Sequence, residues 1–425
     1  MKRLLVSSGL MCAATLCAAP SVSVDSLTQD AVTRTVSVAY TLTGEPGIVT
    51  LSLETNGVAV SEAALSTAYG DVNRVTQPGS RTIRWKPTFL LDDSTALTTK
   101  AVLKAWATNA PPDYLVVDLT MWTDNNQDGH ACTRFYTSTN ALPFGGLAND
   151  MYRTTKLVMR RIPAANVRWR MGSPSGETGR KSNETTHYVT LSEDYYLGIY
   201  PVTVRQMYLI SGWTDGDFRD RSEGAIRPYE KVSYEGLRGA AGIASWPDGA
   251  DPHAVEEWKG IWNWRAHTGI LFDLPTEAQW EYACRAGEKA ALYTGAEVTV
   301  EGGEEPELNK ICRYRFNGGL DPEPNNGTCP VGRYRPNAWG LYDMLGNVAE
   351  LCLDRACDPI REITEEQRDP KGESAADAPY NHIARGCGWN GWPYNLRSAY
   401  RGAFYYKTAE NYLGFRLWCP VTVFK

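Results

Sequence analysis

Residues 385–402 read RGCGWNGWPYNLRSAYRG and hold one thiol, two tryptophans, two tyrosines and three arginines. A cysteine acts as a nucleophile or soft-metal ligand only as its thiolate, and copper(I) wants such sulfur ligands in company. Cys387 is the single thiol of this stretch. Trp389, Trp392, Tyr394 and Tyr400, with Tyr405 just beyond, supply large rigid contact area, while Asn390, Asn395, Arg397 and Arg401 supply directed hydrogen bonds. Aromatic and arginine side chains dominate the energetics of recognition surfaces, so this composition reads as a ligand-binding surface. The alternative is that the same aromatics fill a loop-rich core.

Eight cysteines lie beyond the N-terminal leader: Cys132, Cys284, Cys312, Cys329, Cys352, Cys357, Cys387 and Cys419. They form no C-x-x-C and have no histidine pair nearby, which disfavours structural zinc. An even number in an exported protein favours disulfides, and Cys352 and Cys357 read as partners of each other or of Cys387 or Cys419. His130, His187, His253, His267 and His382 are widely spaced and form no local metal motif. Asp124, Asn126, Asp128 and Gly129 open like a calcium-binding EF-hand loop, but the twelfth position is Phe135 instead of a bidentate Glu, so the stretch reads as a polar turn.

The N-terminus, MKRLLVSSGLMCAATLCAAPSV, places Lys2 and Arg3 before an apolar run closed by small residues, the pattern of a secretory leader over 1–19. The expectation is an exported protein, periplasmic, cell-surface or extracellular. No stretch approaches the roughly 20 apolar residues of a transmembrane helix. A net charge of −6 without a basic stripe argues against nucleic acid as a partner.

The elements that must position these residues fall into two regions. Over 20–112, TVSVAYTL, GIVTLSLET, RTIRWKP and TTKAVLKAWA alternate apolar and polar residues between GEPG, QPGS and LDDS turns, predicting short strands of a β-sandwich-like module. NAPPDY marks a boundary, and 113–153 reads as a connecting segment. From 154 to 425 the chain turns to mixed elements and long aromatic loops. Within it LPTEAQWEYACRAG predicts a helix with Thr276 as N-cap, Gln279 completing a capping box, Gly287 at its end and Trp280, Ala283 and Cys284 on the buried face. The fold class expected for the whole chain is α+β.

Six segments then carry a family likeness: IPAANVRWRMGSPSGETGR, YYLGIYPVTVRQM, LPTEAQWEYACRAG, PVGRYRPNAWGLYDMLGNVAE, ARGCGW and YLGFRL. In this order they resemble the formylglycine-generating enzyme, or sulfatase-modifying factor, family. The resemblance implies an irregular, loop-rich domain related to C-type lectins, with Phe415 and Arg416 buried. It also implies oxidation of a substrate cysteine at a copper ion held by two cysteines spaced C-x4-C. Here those two positions fall on Gly391 and Leu396, so a copper oxidase is disfavoured and Cys387 is the only catalytic candidate. A structural calcium is implied near GNVAE, where Asn347 and Glu350 would be ligands.

The sequence therefore points to a family member without the copper site, acting as a binding or accessory module for an extracellular glycan or protein. Two alternatives stand beside it: an oxidase with an atypical site at Cys387, and a hypervariable lectin-like binding protein diversified near its C-terminus.

Overall fold

The alternation in TVSVAYTL becomes the strand Val36–Thr43, whose Val36, Val38, Tyr40 and Leu42 are buried. This holds in a computed structural model that describes residues 18–422 except 31, 56, 88–98, 122–131, 248–250, 252, 319–325, 358–359, 375 and 379. Most of the leader and the EF-hand-like stretch lie outside the described residues. Among the described residues no helix is long and apolar enough to cross a membrane. The chain divides into two compact units, Met1–Ala110 and Pro111–Lys425.

In the first unit the other three predicted strands appear as Gly47–Thr55, Gly79–Trp85 and Lys100–Ala107. One sheet runs Ser21–Gln29, Val36–Thr43, Gly79–Trp85, Tyr69–Gly70. In the other, Gly47–Thr55 pairs antiparallel with Lys100–Ala107, Val58–Ala59 and Val75–Thr76. Val38, Tyr40, Ile83 and Trp85 from one sheet share a core with Val49 and Leu53 from the other.

The second unit begins earlier than the sequence reading placed it. Tyr114–Asp118 and Thr133–Tyr136, inside the stretch expected to connect two modules, join Lys156–Ile162, Tyr195–Gly198 and Trp418–Pro420 in a five-stranded antiparallel sheet. Leu115 and Val117 are buried there, which explains why YLVVD reads as apolar. A four-stranded sheet, Gly402–Tyr405, Asn381–Arg385, Ala349–Ala356 and Leu413–Gly414, brings the 385–402 segment against the core. The helix Glu277–Arg285 forms with both capping-box bonds between Thr276 and Gln279, and Trp280, Ala283 and Cys284 are buried. It ends at Arg285, two residues before Gly287, because Ala286 already takes the left-handed conformation. A second capping box, Thr203 with Gln206, starts the helix Val204–Ser211.

Buried ion pairs close this core. Arg416, fully buried, donates to both oxygens of Glu350 at 2.7 and 2.9 Å and to the carbonyls of Gly198 and Tyr342, while Trp280 Nε1 donates to the same carboxylate at 2.7 Å. The disulfides expected for Cys352, Cys357, Cys387 and Cys419 do not form: all eight cysteines of the described residues are free thiols. Each sulfur has other company. Cys352 is buried in the strand Ala349–Ala356, Cys357 lies 3.5 Å from an Arg361 nitrogen, and Cys419 lies 3.8 Å from the Met159 sulfur.

Removing one partner of a buried pair strands the other charge in low dielectric. We expect Arg416→Ala to lower the unfolding free energy by about 3–5 kcal/mol. Arg168→Ala, which breaks the exposed Arg168–Glu366 pair, should leave the urea midpoint close to that of wild type. Urea denaturation followed by tryptophan fluorescence separates the two.

Candidate functional site

The 385–402 segment leaves its strand through Gly386 and Cys387, both at positive φ. A Cβ on Gly386 would stand 2.6 Å from the Met344 carbonyl oxygen, so only glycine fits this turn. Arginines then pin the loop. Arg397 is fully buried and all five of its N–H groups are used. Nε donates to the Tyr394 carbonyl, Nη1 to Glu177 and Glu184 at 2.6 and 2.7 Å, and Nη2 to Glu184 and the Gly179 carbonyl. Arg401 grips both oxygens of Glu277 at 2.7 and 2.8 Å and donates to the carbonyls of Asn183 and Arg361. These two residues, expected on a ligand surface, are internal fasteners. Arg385 adds to them by donating to Glu277, Glu281 and the carbonyls of Ser398 and Ala399.

Trp389 also turns inward: it is 9 % exposed, its Nε1 donates to the Asn411 carbonyl at 3.0 Å, and Phe218 meets its ring edge-on at 5.6 Å. The outward face is narrower than the composition implied. Trp392 is partly exposed, with the Arg315 guanidinium 4.3 Å over its ring and Phe316 edge-on at 5.5 Å. Tyr394 has the Lys181 ammonium 5.1 Å from its ring. Asn390, Asn395 and Tyr400 are half-buried, and burial raises the Tyr400 hydroxyl to about 12. Tyr405, exposed, belongs to a separate group with Tyr406 and Tyr380 at ring distances of 4.7 and 6.0 Å.

The residues present do not fit a bis-thiolate copper site. A side chain at Gly391 would start 2.4 Å from the Cys387 sulfur, so that sulfur already fills the space where a cysteine would emerge. Leu396 is fully buried in the hydrophobic core. Burial pushes the Cys387 thiol up to about 11, which keeps it protonated at neutral pH. Cys312, distant in sequence, is near enough for Cys387 to add to the burial that raises its own thiol, and its sulfur lies 3.4 Å from the Leu308 carbonyl oxygen. No local motif announces that neighbour.

The calcium expectation meets occupied donors. The Asn347 amide clamps the Cys329 backbone, accepting its N–H at 3.0 Å and donating to its carbonyl at 3.1 Å. Glu350 is held by Arg416 and Trp280, so a cation would compete with a guanidinium for it. Among the described residues no group of three or more His, Cys, Asp or Glu side chains is placed to hold an ion.

One residue of the site's surroundings was invisible to sequence reasoning. Glu230 is fully buried, one oxygen accepting the Phe218 N–H at 2.9 Å and the other lacking a partner among the described residues. Burial raises its carboxyl to about 7. It thereby holds Phe218 against Trp389, a link that appears only once residues far apart in the chain meet.

The sulfatase-modifying factor enzyme 1-like domain family matches residues 156–419. The chain is 32% identical over 202 residues to the chaperone protein LppX of Paenibacillus barcinonensis, covering 41% of this chain and 66% of that protein. It is 31% identical over 149 residues to the formylglycine-generating enzyme of Mus musculus, covering 34% of this chain and 38% of that enzyme. Each alignment thus spans only part of the relative. Among solved structures, Treponema denticola variable protein 1 aligns with 62% of this chain and 95% of its own, at 23% identity and a TM-score of 0.45.

Because the Glu230 carboxyl is raised above its ordinary 4.5, the folded protein keeps a proton that the unfolded chain releases. Its contribution to stability therefore declines as pH rises from about 4.5 to about 7 and is level above that. We expect the urea midpoint of Glu230→Gln to change less than that of wild type across this window, measured at about pH 5 and about pH 8.

Proposed function

Because this chain belongs to the sulfatase-modifying factor enzyme 1-like domain family, we propose that it is a member whose oxidase site has closed and that it works as a binding or accessory module. The observation that carries this reading is the Cys387 sulfur, 2.4 Å from where a side chain at Gly391 would begin, together with Leu396 locked in the core. The family's oxidation needs two exchangeable thiolates, and neither of the matching positions supplies one. The likeness to a protein named as a chaperone, LppX, supports an accessory role. The leader-like N-terminus supports export, and so an extracellular glycan or protein as ligand. On this reading ligand contact falls to Trp392 and Tyr394, with Arg315 and Lys181 beside their rings. Aromatic faces stack on sugar or peptide groups, and the guanidinium can fork onto a carboxylate or sulfate. Calcium stays outside the proposal, since the Asn347 and Glu350 oxygens are taken.

The nearness of Cys312 to Cys387 favours a second reading, an atypical oxidase. Titration of the reduced protein with copper(I) separates the two. We expect no thiolate-to-copper absorption; uptake of one copper per chain that disappears in Cys387→Ser would hand the site to the oxidase reading. For the binding face, an array of extracellular glycans probed with the full chain should lose signal about tenfold or more in Trp392→Ala/Tyr394→Ala. The thermal midpoint should stay near that of wild type, and glycan signals equal in the two proteins would refute the assignment of this face.

A further inference from the structure

A second pocket lies among elements that share no residue with 385–412. Its lining includes Glu193 and Tyr195, Trp246, His253, Gln279 and Trp418, and its volume is about 160 Å³. That is close to the roughly 150 Å³ that accommodates a benzene ring in a protein interior. One six-membered ring fits.

The wall is aromatic. His253 lies parallel to Trp418, with ring centres 5.9 Å apart and planes 3° from parallel, and is tilted against Trp246 at 5.2 Å. Behind it, His253 Nδ1 is 2.8 Å from Asp273, a fully buried carboxylate that also meets Arg238 at 3.1 Å and Arg265 at 3.0 Å. Burial alone would raise the Asp273 carboxyl, but Arg238, His253 and Arg265 together hold it below its ordinary value. An ionised Asp273 accepts from Nδ1–H, so in the neutral ring Nε2 is the acceptor.

Polar groups of this pocket are left without a hydrogen-bond partner among the described residues. His253 Nε2 is an acceptor. Gln279 spends its oxygen on the Thr276 N–H, leaving its NH₂ as a donor. Glu193, exposed at the rim, offers a carboxylate. A phosphate or carboxylate ligand would face the carboxylates of Glu193, Asp194 and Asp369, which outnumber the one ammonium of the lining, Lys371. A hydrocarbon ring would leave the Gln279 NH₂ and His253 Nε2 without partners. Hydroxyls both donate and accept, and a ring carrying several of them can serve donors and acceptors together. Such a ring also has an apolar face to lay on indole and imidazole.

We propose that this pocket binds a single uncharged sugar ring, its face on the Trp246–His253–Trp418 wall and its hydroxyls on His253 Nε2, Gln279 and Glu193. This goes beyond the binding face at Trp392 and Tyr394, and either assignment can fail without the other.

The test titrates full-length, ¹⁵N-labelled protein with the methyl glycosides of glucose, galactose, mannose and N-acetylglucosamine, following the indole N–H signals of Trp246 and Trp418. A saturable shift with at least one glycoside is expected. His253→Asn keeps a donor for Asp273 but has no distal acceptor, and should weaken that binding by about tenfold, the worth of roughly one hydrogen bond. No saturable shift with any of the four glycosides overturns the proposal, as does unchanged affinity in His253→Asn or tighter binding of methyl glucuronide than of its neutral counterpart. If His253→Asn lowers the thermal midpoint, Glu193→Ala at the exposed rim replaces it: weaker binding sustains the proposal and equal binding overturns it.

Discussion

Buried arginine–carboxylate pairs are the interaction on which the second unit depends. Long stretches of this unit are neither helix nor strand, so many backbone carbonyls find no partner in a regular ladder and must be satisfied another way. Arginine presents five N–H groups in a rigid fork, enough to hold a carboxylate and cap carbonyls from separate loops at once. Arg397 does so for the carbonyls of Gly179 and Tyr394, and Arg401 for those of Asn183 and Arg361. Such pairs contribute little net stability once desolvation is counted, yet breaking one is costly. Their effect here is to fix which loop lies against which.

The helix Glu277–Arg285 is the hub of this arrangement. Glu277 receives Arg385 and Arg401, and Glu281 receives Arg285 and Arg385. Its first turn also donates the Glu277 N–H to Asp354 at 2.6 Å. Asp354 is buried with Glu277 close by, and burial with that neighbouring charge raises its carboxyl to about 8. A lysine in place of Arg385 or Arg401 would keep the charge and lose the fork, leaving carbonyls unpaired. The capping box at Thr276 sets where this hub begins, and so sets the height at which every arginine must arrive.

That explains what could and could not be read in advance. Local signals were reliable: the alternation at Val36, Val38, Tyr40 and Leu42, and the Thr276–Gln279 box, each rest on neighbours within a few residues. The aromatic and arginine content of 385–402 is legible as composition, but its division between inside and outside is not: Arg397 and Trp389 are buried while Trp392 is partly exposed. Whether Arg397 faces a ligand or Glu184 depends on a residue more than 200 positions away, and no spacing encodes that. A polar stretch interrupts the strands within 114–136, so they do not read as a pair. The other partner of Tyr114–Asp118, Lys156–Ile162, lies beyond a helical turn at Met151–Thr154. Glu230, a lone acid in an ordinary loop, carried no signal at all.

The same arginines separate the fold from its chemistry. Arg385, Arg397 and Arg401 lie on either side of Gly391 and Leu396 and are held by their carboxylates, which fixes the path of the loop. Neither Gly391 nor Leu396 is one of these fasteners, so the frame does not depend on what chemistry those two positions carry. The Cys387 sulfur stands above Gly391, so a cysteine placed at Gly391 would collide with it. The side chains of Trp392 and Tyr394 carry none of these fastenings, so a change at either leaves the frame's ion pairs in place.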